Sequence, residues 1–94
     1  MRVDQLLNKL CLIRTRSMAK KACDADLVKI NGKIAKSSTK VFASDVIEYR
    51  VFGNYFKIEI REIPQGNVAK TKAPDFYSLL ERHKIDLDNT SSVL

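Results

Sequence analysis

Apolar residues fall at Val3, Leu6, Leu7, Leu10 and Cys11 near the start of the chain. Offsets of three and four repeat with the period of a helix, so the spacing predicts an amphipathic helix over 3–11. Asp4 sits in its first turn, where an acid is favourable against the helix dipole. A second helix is expected from a cap at Thr15 or Ser17 to about Ala25. Met18, Ala19, Ala22 and Cys23 make its apolar face, and Arg16, Lys20 and Lys21 its polar one. Both helices are too short to persist alone and must pack on something.

The pattern then changes period. Val28-Lys29-Ile30 and Lys33-Ile34-Ala35 alternate around Asn31-Gly32, a pair suited to a type I′ hairpin turn with positive φ at both positions. Lys36 to Thr39 is a polar connection, Val41-Phe42 can pair briefly, and Ser44-Asp45 reads as a turn. Val46 to Phe52 is rich in β-branched and aromatic residues, and Gly53-Asn54 fits a type II′ turn. From Tyr55 to Ile63 the alternation sets Phe56, Ile58 and Ile60 against Lys57, Glu59 and Arg61, until Pro64-Gln65-Gly66-Asn67 ends it.

Beyond this the chain reads as a linker over 64–73, a helix over 74–85 and a polar, frayed tail over 86–94. Pro74 or Asp75 opens that helix, with Phe76, Leu79, Leu80 and His83 on one face. The expected architecture is α+β. Two short helices pack on a small, mostly antiparallel sheet within 1–63, and a C-terminal helix follows. No internal repeat is present.

Charge narrows the function. Ten bases and three acids lie in residues 1–40, against seven bases and eight acids in 41–94, so all of the net +6 comes from the first part. Such asymmetry points to one basic face for a polyanion, nucleic acid before anionic membrane. A generic basic surface is the plainer explanation, and charge alone does not separate the two. No apolar run approaches the roughly 18 residues of a membrane span. Met1-Arg2-Val3-Asp4 lacks the apolar core of a signal peptide, so a cytoplasmic protein is expected. Cys11 and Cys23 could form one disulfide, but without a secretory signal two buried thiols are expected, and only His83 could join them around a metal. No P-loop, glycine-rich cofactor turn or carboxylate dyad occurs. The chain is therefore expected to be no enzyme and to need no cofactor.

Two basic helices followed by a hairpin carrying V-x-I-N-G resemble a known module. The matching residues are Met1-Arg2-Val3-Asp4 with Leu6-Leu7, then Ile13-Arg14-Thr15-Arg16-Ser17-Met18-Ala19-Lys20. The run continues through Val28-Lys29-Ile30-Asn31-Gly32-Lys33, Ala35-Lys36 and Asp45-Val46-Ile47. Together they resemble the S4 RNA-binding domain, or αL motif. Asp26 and Ser44 stand at turn positions where that family usually has Gly, and Gln5 and Cys11 stand where it often carries a base. The rest of the chain is similar to the small ribosome-associated S4 proteins. The D-F-Y-S-L-L segment favours their quality-control kind over the heat-shock kind. The resemblance implies binding to large-subunit rRNA and peptidyl-tRNA on stalled ribosomes, beside a separate tRNA-recruiting factor.

On that resemblance Arg2, Arg14, Thr15, Arg16 and Lys20 are the principal candidate contacts, and Lys29, Asn31, Lys33 and Lys36 border the same RNA. Arginine suits phosphate because its fork donates in pairs. Thr15 is first a helix cap, Asn31-Gly32 first a turn, and Asp4 first a helix-start residue, with a salt bridge to an arginine as its other reading. Most of the seven aromatics are expected in the core. Three other readings stand beside RNA binding on the ribosome. One is an accessory module for rRNA modification or ribosome assembly, or a heat-shock ribosome-recycling factor. Another is a membrane-surface protein. The third is an interaction module that presents its C-terminal helix.

Overall fold

The computed structural model describes residues 1–85. Helices α1 (Val3–Lys9) and α2 (Arg16–Asp24) lead into strands β1 (Val28–Ile30), β2 (Lys33–Ile34), β3 (Val46–Val51), β4 (Asn54–Ile60) and β5 (Tyr77–Lys84). The strands form one sheet in the order β2-β1-β3-β4-β5, and every neighbouring pair is antiparallel.

The register sorts the side chains onto two faces. Ile30, Ile47, Ile58 and Leu79 occupy one cross-strand row, and Val28, Tyr49, Phe56 and Arg82 the next. Val3, Leu6, Leu7 and Leu10 of the first helical segment and Ala19, Ala22 and Cys23 of α2 close over this face. Leu6, Leu7, Ile47 and Ile58 are wholly buried, and each such side chain contributes about 1.5–3 kcal/mol. Tyr49 and Phe56 stack with centroids 5.0 Å apart, which adds about 0.5–1.5 kcal/mol. The opposite face carries Lys29, Glu48, Lys57 and Glu81 in one row and Arg50, Tyr55 and His83 in the next. Here the Tyr55 hydroxyl donates to Glu48 (2.6 Å) and Lys57 pairs with Glu81 (3.5 Å).

The turns follow their dihedral demands. Asn31 and Gly32 have φ of 51° and 84°, as a type I′ turn requires. The positions that resemble family glycines, Asp26 and Ser44, take φ of 61° and 78°. The second hairpin differs from expectation: its central residues are Phe52 and Gly53, with φ of 53° and 74°, because Val51 pairs with Asn54. Cys11 also departs from the reading of two buried thiols, since it is exposed while Cys23 is buried, and both are free.

The expected helix over 74–85 is not formed. Ala73–Phe76 makes a single 3₁₀ turn around Pro74, and Tyr77 turns extended. Residues 77–84 then pair along the free edge of β4. A register shift at Lys57/Ile58 leaves Leu80 without a partner. That bulge interrupts the period of two, so Phe76, Leu79, Leu80 and His83 imitate helical spacing. β4 would otherwise present a bare ladder of donors and acceptors beside the buried Ile58 and Ile60. The expected frayed tail over 86–94 lies outside the described residues.

Candidate nucleic-acid interface

α1 has its first amides capped by a distant loop. The Val3 N–H donates to the Thr39 carbonyl (2.8 Å) and the Asp4 N–H to that of Ser37 (3.4 Å). These bonds satisfy donors that a helix start leaves open. They also lay the 36–41 segment along the N-terminus, where Lys40 bridges Arg2 and the Val41 N–H reaches the Met1 carbonyl (2.9 Å). α2 is capped from its own sequence. Thr15 takes an extended conformation and its Oγ1 accepts from the Met18 N–H at 3.1 Å. Between the helices, the Asn8 amide donates to the carbonyls of Ile13 (3.3 Å) and Arg14 (3.1 Å), which fixes the turn that sets α2 beside α1.

This arrangement brings Arg2 and Arg16 to one carboxylate. Asp4 Oδ2 lies 3.2 Å from Arg2 Nη2 and 3.6 Å from Arg16 Nε, with the Asp4 side chain 2% exposed and the arginines 44% and 48%. The helix-start reading of Asp4 is therefore incomplete: it sits in the first turn and also ties two arginines across the helix pair. A shallow cleft of about 300 Å³ opens here, lined by Arg2, Asp4, Arg16, Ser17 and Lys20. One buried negative charge is set against three cations, so the cleft is positive. Each guanidinium has five N–H donors, and both side chains keep close to half of their surface exposed. The Cys23 thiol is pushed up to about 11 by burial, with Asp4 and Asp24 adding to the effect, so it stays a neutral packing group.

The other candidate residues are placed unequally. Arg14 is exposed on the turn between the helices, and Lys36 is exposed on the segment that caps α1. Lys33 lies at the sheet edge in β2, paired with Ile30. Lys29 falls in the outer row of the sheet with Glu48, away from the helix-covered face. Asn31 has its amide engaged: Nδ2 donates to Asp45 (3.1 Å) and Oδ1 accepts from the Val46 N–H (2.9 Å). Lys40 joins the site through the fold, since no local sequence pattern links it to Arg2. The capping of α1 by the Ser37 and Thr39 carbonyls and the Val41–Met1 bond place them together.

The S4 domain family matches residues 1–47, half of the chain. The chain belongs to the S4 domain family. This S4 protein is 28% identical over 86 residues to the RQC P-site tRNA stabilizing factor of Streptococcus pneumoniae, covering 92% of the chain and 97% of that protein. It is 33% identical over 64 residues to the factor of the same name from Helicobacter pylori, covering 68% and 76%. Its fold is similar to the trimeric structure of Vibrio cholerae Heat Shock Protein 15, with a TM-score of 0.79 and 26% identity over 85% of this chain and 81% of that one. D-F-Y-S-L-L lies in the 3₁₀ turn and strand β5, not in a helix, and it is these relatives that support the quality-control kind.

Proposed function

We propose that this S4 protein is an RNA-binding factor of ribosome-associated quality control that holds peptidyl-tRNA and large-subunit rRNA on stalled ribosomes. The observation that carries the reading is the Arg2–Asp4–Arg16 cluster with Lys20 beside it. It forms in a family module whose relatives are named for stabilising P-site tRNA. Arg2, Arg16 and Lys20 take phosphates in the cleft, with the Thr15 end of α2 next to them. Arg14, Lys36 and Lys40 extend the track, while Lys33 and Lys29 lie at its margin. Asn31 shapes the hairpin. Such a surface grips a folded RNA by its backbone and shape.

The test is sedimentation of tagged protein with lysate ribosomes, probing tRNA and nascent chain in every fraction. The expected result is co-migration with large subunits that carry peptidyl-tRNA, lost on Arg2→Ala or Arg16→Ala with unchanged circular dichroism. Binding to RNA should also weaken with salt, and each lost phosphate contact should flatten the log–log slope by about one. A protein absent from ribosomal fractions, or a flat salt response, overturns the proposal.

A further inference from the structure

Asp4 is the one acid in the cleft, and it is spent in an unusual way. Its side chain is almost fully withdrawn from water, yet among the described residues its Oδ1 has no hydrogen-bond partner. Buried carboxylates ordinarily have their oxygens satisfied, so this is a standing cost to the fold. Nor does helix capping explain it. The Asp4 backbone N–H goes to the Ser37 carbonyl and the Val3 N–H to that of Thr39, so the start of α1 is served without the carboxylate. What the carboxylate does is hold two guanidinium groups, one from before α1 and one from the first turn of α2. An arginine left unheld must give up rotamer freedom when it binds phosphate.

We propose that Asp4 is a positioning residue for RNA, which fixes Arg2 and Arg16 in a shared orientation before the polyanion arrives. This rests on the RNA-binding reading above, and it makes a prediction of opposite sign to simple charge counting. By charge alone, Asp4→Asn raises the net positive charge of the cleft and tightens binding. By positioning, the same isosteric change frees both arginines and weakens binding. Immobilising two such side chains at the moment of binding costs enough to lower affinity roughly tenfold.

The experiment measures affinity for a structured tRNA, at one fixed salt, for the wild type, Asp4→Asn, Arg16→Ala and the double variant. Thermal melts of each verify folding, and Asp4→Glu serves as a second substitution that keeps the charge. The expected pattern is about tenfold weaker binding for folded Asp4→Asn and partial recovery in Asp4→Glu. In the Arg16→Ala background, Asp4→Asn should have a smaller effect, because only Arg2 is left for it to position. A carboxylate that merely supports the fold lowers the melting temperature without this coupling. Equal or tighter binding by Asp4→Asn, or full additivity with Arg16→Ala, overturns the inference. If Asp4→Asn does not fold, Asp4→Ser, which also lacks the charge, carries the cycle with the same criterion. Should the wild type bind no RNA, or Arg16→Ala be silent on its own, it is the functional reading that fails.

Discussion

Thr15 caps α2 beside the proposed RNA cleft, so its effects on stability and on RNA affinity can be measured separately. Its Oγ1 receives the Met18 N–H at 3.1 Å, and the helix it caps is only nine residues long. Thr15→Ala removes that acceptor and costs about 1 kcal/mol. α2 contributes Ala19, Ala22 and Cys23 to the core, so global unfolding should register the whole loss. A domain of this length unfolds with an entropy of about 0.2 kcal/mol/K, so the melting temperature should fall by about 5 °C. Thr15→Ser keeps the acceptor and should stay within about 1–2 °C of wild type. Thr15→Asp is the informative variant. Aspartate caps as well as serine and favours the positive end of the helix dipole, so stability should match or exceed wild type. It also sets a negative charge beside Arg16, and RNA affinity should drop severalfold. Melting curves by circular dichroism and RNA titrations on the same preparations provide both readouts. A Thr15→Ala melt within 1 °C or so of wild type refutes the capping argument. Wild-type affinity in a stable Thr15→Asp would falsify the placement of this helix end against RNA.

Two further predictions concern the sheet. The bond to Glu48 chiefly, with burial after it, holds the Tyr55 phenol at about 12, above its usual 10. A phenol raised on folding lends stability that is complete below pH 10 and is lost as pH climbs from there to about 12. Glu48→Gln keeps an acceptor but removes the charge, so the phenolate transition assigned by comparison with Tyr55→Phe should move down toward 10. An unmoved transition contradicts the role given to Glu48. Truncation after Gly66 should abolish cooperative unfolding rather than trim an appendage, because it strips Tyr77 and Leu79 from Ile60 and Ile58 and Ala73 from the core. A shortened chain that melts as sharply as the full one argues that β5 is dispensable.

How much of this was written locally in the chain depends on the distance over which each feature is decided. Val3, Leu6, Leu7 and Leu10 declare α1 within three turns, and Thr15 declares its own helix start. Asn31-Gly32 declares its turn through dihedral preference alone. The alternation of Phe56, Ile58 and Ile60 declares β4. β5 is not declared in this way: its identity comes from the open edge of β4, and its bulge at Leu80 hides the strand period beneath a helical one. The second hairpin shifted by one residue for a similar reason, since the register between β3 and β4 overrode the preference for keeping Phe52 out of a positive φ. In the candidate site, the basic faces of the helices could be read from the sequence. The meeting of Arg2 and Arg16 on Asp4, and of Lys40 with Arg2, could not. Those contacts depend on how α1, α2 and the 36–41 segment pack.

The row of Lys29, Glu48, Lys57 and Glu81 has a consequence for how the protein travels. Alternating signs on adjacent strands cancel at short range, so the outer face of the sheet is close to neutral. The uncancelled positive charge sits with the helices and the N-terminus. Among the described residues the excess positive charge is thus set to one side of the sheet. A polyanion exerts a torque on such a body as well as a pull, turning the cleft toward itself within the screening distance of about 8–10 Å. Few encounters are then wasted on the wrong side. Swapping Glu48 or Glu81 for a base would blunt this alignment and slow productive association, even though the overall charge would become more attractive.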